Sequence, residues 1–139
     1  SSAASDVYKR QVSQKLFEDG HYANAAEDAF VEINDRVKKL FMKVNPTASK
    51  IPDGHTAMNM VFSDNAPLVE FCDRSTETGS NIQKGYMQML AGAMSALRNP
   101  KAHANITITK DDAMRRLMFA SMLMYKIDEA IDYSKIQER

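Results

Sequence analysis

Cysteine is almost absent from this 139-residue chain: Cys72 stands alone, so no internal disulfide can form. A reducing compartment, and so the cytoplasm, is the natural expectation. Tryptophan is missing, and glycine and proline number only five and four. With so few breakers, long helices are favoured over a turn-rich sheet. Neither sign of charge is in excess, with 18 Lys and Arg against 18 Asp and Glu. That excludes a strongly basic coat for non-specific nucleic-acid binding, although not a small local basic site. No apolar run approaches the roughly 20 residues that span a bilayer, and no signal-peptide pattern is present. The three histidines, His21, His55 and His103, lie far apart and lack partners at metal-ligand spacing. Gly79, Gly85 and Gly92 are too scattered for a phosphate loop. No metal and no cofactor are therefore expected.

What is present is an ordinary globular balance, 44% hydrophobic and 26% charged, with an unusual ten methionines. The length fits one domain that buries roughly two-thirds of its unfolded surface without a staple. Residues 1–6 read as a cloning remnant or disordered tail, and 7–135 as the folded domain.

The periodicity predicts an all-α antiparallel bundle of four main helices plus one or two short ones. A first helix is expected from Asp6 to about Asp19, ended by Gly20. In the second, Tyr22, Ala26, Ala29, Ile33, Val37, Leu40 and Val44 recur at steps of three and four, up to Asn45-Pro46. Thr56–Phe62 predicts a short helix, and Ala66–Phe71 a further turn or two. Residues 73–81 are polar and predict a loop. From Ile82 the helical period returns through Tyr86, Leu90, Ala93 and Leu97, stopping at Asn99-Pro100. Thr109 and Asp112 resemble a capping box that opens a last helix through Leu117, Ala120, Met124, Ile127 and Ile131. Met87, Met89, Met94, Met114, Met118, Met122 and Met124 are expected mainly in the core, any surplus serving a helix–helix dimer interface. Cys72 is expected to be a buried structural thiol, His21 and Tyr22 packing and capping residues, and His55 polarity at a helix start.

The segment Arg98-Asn99-Pro100-Lys101-Ala102-His103 is the one place where chemistry-bearing residues concentrate. Arg98 offers a permanent charge and a planar fork suited to phosphate oxygens. His103 titrates near neutrality, so it can shuttle a proton. Together they supply what phosphodiester cleavage requires without a metal, and Asn99 could orient either group or the substrate. Lys101, Lys110, Arg115 and Arg116 lie close in sequence as candidate substrate-binding cations, diluted by Asp111 and Asp112. The plain alternative is that Arg98 caps its helix C-terminus, where a cation is favoured, and that His103 is loop polarity. An Arg–His pair at this spacing arises by chance in roughly one such sequence in six, so spacing alone favours the alternative.

The setting adds more. A helix, then Arg-Asn-Pro-Lys-Ala-His, then a capped final helix resembles the HEPN superfamily, whose signature is Arg, a polar residue, three to five residues and His. The Ymh-like branch is the nearest in pattern. Leu16-Phe17-Glu18-Asp19-Gly20-His21-Tyr22 leading into Ala25, Ala26 and Ala29 also fits, as do Asp64-Asn65-Ala66-Pro67-Leu68 and Phe119-Ala120-Ser121-Met122-Leu123-Met124. The resemblance runs from about Tyr8 to Tyr133. It implies a homodimeric bundle with two motifs in one cleft, and a metal-independent RNA endonuclease in a bacterial toxin or anti-phage setting. A regulator, an antitoxin or a further domain is an expected partner, with no membrane. A non-cleaving dimerisation or RNA- or nucleotide-binding module is the rival. Some relatives partnered with nucleotidyltransferase-type antitoxins carry a modified Tyr two residues after the His. Asn105 stands there in this chain, so that control is not expected.

Overall fold

A computed structural model describes residues 13–98 and 107–138 of the chain. Among the described residues five α-helices follow one another: α1 Ser13–Glu18, α2 Tyr22–Val44, α3 Gly54–Val61, α4 Glu77–Ala93 and α5 Lys110–Ser134. Between α4 and the undescribed residues the helix widens into a π-helical turn, Met94–Arg98. The fold is all-α, and no strand occurs among the described residues. No described helix is long and apolar enough to cross a membrane.

Helix α2 is the axis of the bundle, packing against α1, α3, α5 and the π turn, while α4 lies on α3. Its inner face carries Ala26, Ala29, Phe30, Ile33, Val37, Leu40 and Phe41, all buried. That stripe meets Met58, Val61 and Phe62 from α3 and its end, Leu90 and Met94 from α4 and the π turn, and Leu123 and Ile127 from α5. Burying one such side chain stabilises by about 1.5–3 kcal/mol. The cluster therefore supplies the main favourable term holding the helices together.

Helix ends follow local chemistry. Gly20, at φ +84°, closes α1 with two backbone bonds: Gly20 N–H to Phe17 C=O, and His21 N–H to Leu16 C=O. The same motif ends α5, but there Lys135 takes the left-handed conformation at φ 56°. Thr109 caps α5 as predicted, its hydroxyl accepting from the Asp112 N–H at 3.1 Å. The expected helix start at Asp6 lies outside the described residues, as does the tail expected at residues 1–6.

Several expectations need correction. Residues 66–71 are not helical. They run as an irregular strap whose backbone groups are satisfied by the Val61 carbonyl, by Ser134 of α5 and by the fully buried Gln83. Gln83 accepts from Phe71 N–H at 2.9 Å and donates to the carbonyls of Phe62 and Val69, each at 3.1 Å. Helix α4 begins at Glu77, inside the expected loop, because the Thr76 hydroxyl caps Gly79 N–H at 3.0 Å. Its polar first turn carries no apolar stripe, which hides it from a periodicity argument. Gly79 is required there, since the Asp73 carbonyl occupies the space where a Cβ would stand. His21 holds the N-cap position of α2 without a side-chain cap, whereas Tyr22 packs edge-on against Phe17 at 5.0 Å. Cys72 is half-buried, with Sγ 3.7 Å from the Gly79 carbonyl.

The methionines divide. Met94 and Met124 are core, and Met87 and Met89 are half-buried against it. Met114, Met118 and Met122 are exposed, Met118 by 65%. Four-residue steps put these three on one outward face of α5, away from the Ala120, Leu123 and Ile127 face that α2 covers.

Candidate functional site

Arg98 closes the π turn, which packs on α2 and α3. A π turn spends an extra residue per hydrogen bond and so re-aims the side chains that follow it, a device frequent at functional sites. The Ser95 hydroxyl sits 3.4 Å from the Ala91 carbonyl, the kind of side-chain competition that loosens an α ladder. The guanidinium of Arg98 then points toward the loop that enters α3.

There it meets Asp53. Arg98 Nη2 lies 3.2 Å from Asp53 Oδ2. The other oxygen, Oδ1, accepts from Asn34 Nδ2 at 2.9 Å and lies 3.2 Å from Lys38 Nζ. Asn34 is buried within α2, and its own carbonyl oxygen accepts from the Gly54 N–H at 2.9 Å. One amide therefore ties both the carboxylate and the backbone of the loop to α2. The Asn34 bond, followed by the Lys38 bond and the charges of Arg98 and Lys38, holds the Asp53 carboxyl below its ordinary value. Asp53 is consequently an anion across the physiological range.

Gly54 completes the arrangement. Its φ of +57° is left-handed, and a Cβ on it would come within 2.6 Å of Arg98 Nη2. Glycine thus serves twice, allowing the turn and leaving room for the guanidinium. Arg98 is 24% exposed. Its Nε is buried and has no hydrogen-bond partner among the described residues. Two cations share one carboxylate here, so the group carries a net positive charge.

The other expected site residues are placed as follows. Lys110 opens α5 with its ammonium 5.8 Å from the centre of the Phe17 ring. Arg115 is exposed and paired with Asp112 at 2.7 Å. Arg116 is half-buried one residue further on. These three belong to the first turns of α5; the contact of Lys110 is with Phe17 of α1 and that of Arg115 is within its own helix. Asn99, Lys101 and His103 lie outside the described residues. The chain is described again from Thr107, where Thr107 and Ile108 line an open cleft of about 230 Å³ with residues 20–24. His21 and Asn24 are on its wall.

The sequence reading found Arg98 but missed Asn34, Lys38, Asp53 and Gly54. A signal for one of them was present. Asn34 interrupts the stripe Phe30, Ile33, Val37, Phe41, and a polar residue at a buried helical position needs a partner that only the fold can name.

The model of the Ymh family, described as a protein of unknown function, matches residues 6–127. The chain belongs to the Ymh family. No curated protein and no solved structure matches it. In this Ymh chain the match takes in every candidate site residue from Asn34 to Arg116. Its description assigns no activity, so function has to be argued from the site.

Proposed function

We propose that this chain is a HEPN-type, metal-independent RNA endonuclease domain that acts as a homodimer. A bacterial toxin or anti-phage role in the cytoplasm goes with that reading. The single observation that carries it is Arg98: a guanidinium held by a carboxylate and partly open to solvent, immediately before Asn99-Pro100-Lys101-Ala102-His103.

In this reading His103 takes the proton from a ribose 2′-hydroxyl, and the 2′-oxygen attacks the adjacent phosphorus. The bond to the 5′-oxygen breaks, and that oxygen takes a proton from the second histidine of the dimer or from water. The products are a 2′,3′-cyclic phosphate and a 5′-hydroxyl, with no redox change and no metal in the balance. Arg98 stabilises the charge that builds on the phosphoryl oxygens. Asn99 orients substrate, while Lys101, Lys110, Arg115 and Arg116 contact the backbone of the RNA, whose phosphates favour Lys and Arg.

Incubating the purified protein with structured RNA in excess chelator tests this. Cleavage to 2′,3′-cyclic phosphate ends is expected, with His103→Ala inactive. Cleavage that survives His103→Ala, or no cleavage of any RNA, counts against it.

The exposed face at Met114, Met118 and Met122 favours the dimerisation part of the reading, and also a rival in which this chain is a non-cleaving interaction module. Met118→Lys should shift a dimer toward monomer in light scattering while leaving the helical circular-dichroism signal unchanged, since the side chain is 65% exposed. An unaltered dimer would move the interface off α5.

A further inference from the structure

We infer that Asp53 is a positioning residue for Arg98, itself held by Asn34 and Lys38, so that the phosphate-facing guanidinium is set by α2 rather than by its own segment. The inference rests on the reading of Arg98 as the group that contacts phosphate.

The geometry is that of a chain of supports. Asn34 is 3% exposed and sits in the middle of a 23-residue helix, so its position is fixed by the core. Its amide grips the Asp53 carboxylate on one side and the Gly54 backbone on the other, at 2.9 Å each. Asp53 therefore cannot rotate freely at the end of its loop. Its remaining oxygen takes Arg98 Nη2, and the bare Cα of Gly54 lets the guanidinium lie against the turn. An arginine on a widened helix end would otherwise sample many rotamers and lose that side-chain entropy when substrate fixes it. Fixing it beforehand removes that cost from the reaction itself.

Lys38 has the complementary role. A lone carboxylate would neutralise Arg98 and repel an incoming phosphodiester. Lys38, 3.2 Å from the other carboxylate oxygen, offsets that charge and leaves the group attractive to an anion. Asp53 and Lys38 thus divide the work, one holding Arg98 in place and the other keeping its surroundings positive.

Two readouts test this, and they fail separately. The first is the Arg98 Nε–H resonance in a nitrogen-edited NMR spectrum of the whole chain in slightly acidic buffer, assigned by its loss in Arg98→Lys. In the native protein it should be protected and displaced from exposed arginines. Asp53→Asn should move it to the exposed position while the backbone amides stay dispersed. An unmoved resonance overturns the inference whether or not RNA is cut. Should Asp53→Asn fail to fold, Asp53→Glu keeps the charge but lengthens the reach, and the same resonance should shift in part. No shift there overturns the inference equally.

The second readout is cleavage kinetics. Asp53→Asn should lower kcat by roughly ten- to a hundredfold with little change in KM, because misplacement acts on the transition state. Lys38→Met should do the reverse, raising KM several-fold with kcat nearly unchanged. Equal effects of both variants on kcat and KM would overturn the division of roles. If the native chain cuts no RNA, the endonuclease reading falls, and the resonance still decides whether Asp53 holds Arg98.

Discussion

Arg36 and Arg98 each reach a carboxylate from a helix, and the surroundings of the two could hardly differ more. Arg36 sits in the seam between α2 and α5, its side chain only 10% exposed. It spends its donors on Asp128 at 2.6 Å, on both oxygens of Glu138 at 3.0 and 3.1 Å, and on the Met124 carbonyl at 3.4 Å. Burial alone would lower its pKa, but the Glu138 and Asp128 bonds outweigh that and raise it. Arg98 has one carboxylate contact, at 3.2 Å, and an idle Nε among the described residues. A saturated arginine ties elements together. Arg98, 24% exposed against 10% for Arg36, is the more open of the two and is the one that the proposed function assigns to a ligand.

The comparison breaks first at Arg36. Arg36→Ala leaves Asp128, whose side chain is 15% exposed, without its cation. A loss of about 3–5 kcal/mol in a urea melt is expected, and a change below about 1 kcal/mol would place Arg36 among ordinary surface pairs. Arg98→Ala should show the opposite profile. Its melt should shift by less than about 1 kcal/mol, while RNA cleavage falls by roughly 10²–10³. A large stability loss with intact cleavage would return Arg98 to the role of a helix cap.

Gly54→Ala tests the shared turn. A left-handed residue with a Cβ costs about 1–2 kcal/mol, and the new methyl displaces the Arg98 guanidinium. Stability and cleavage should both fall, unlike in either arginine variant. The smallest effect concerns protons. Because the carboxyl of Asp53 is lowered from 3.8 in the folded chain, it favours folding above that value, and this help is lost only as pH drops through the lowered one. An NMR titration of Asp53 should therefore show a midpoint below 3.8, and Asn34→Ala should move it back up. A midpoint unaffected by Asn34→Ala would remove the amide from the support chain.

Much of the fold could be read along the chain, and the reasons are local. Helix α2 ends at Val44 because Asn45-Pro46 cannot continue it, and Thr109 starts α5 because its hydroxyl serves the Asp112 N–H. The strap at residues 66–71 could not be read in that way. Its irregular backbone finds its partners in other elements: Gln83, twelve residues beyond Phe71, Ser134 at the end of α5, and the Val61 carbonyl. The start of α4 was hidden for a related reason, since its first turn is polar and solvent-facing. Which methionines are core and which are surplus could not be read along the chain, because a stripe on α5 says nothing about which face α2 will cover.

The sequence by itself determined an all-α chain, the bounds of α2, the start of α5, and Arg98 at the end of a helix. Each depends on contacts within a few residues, where spacing, capping and proline act. Only the tertiary structure decided that Asn34, Lys38, Asp53 and Gly54 gather around that arginine, that Arg36 is a seam and not a site, and that Met114, Met118 and Met122 face outward. Those outcomes depend on which surfaces meet, and pairing between distant segments is set by the packing of the whole core.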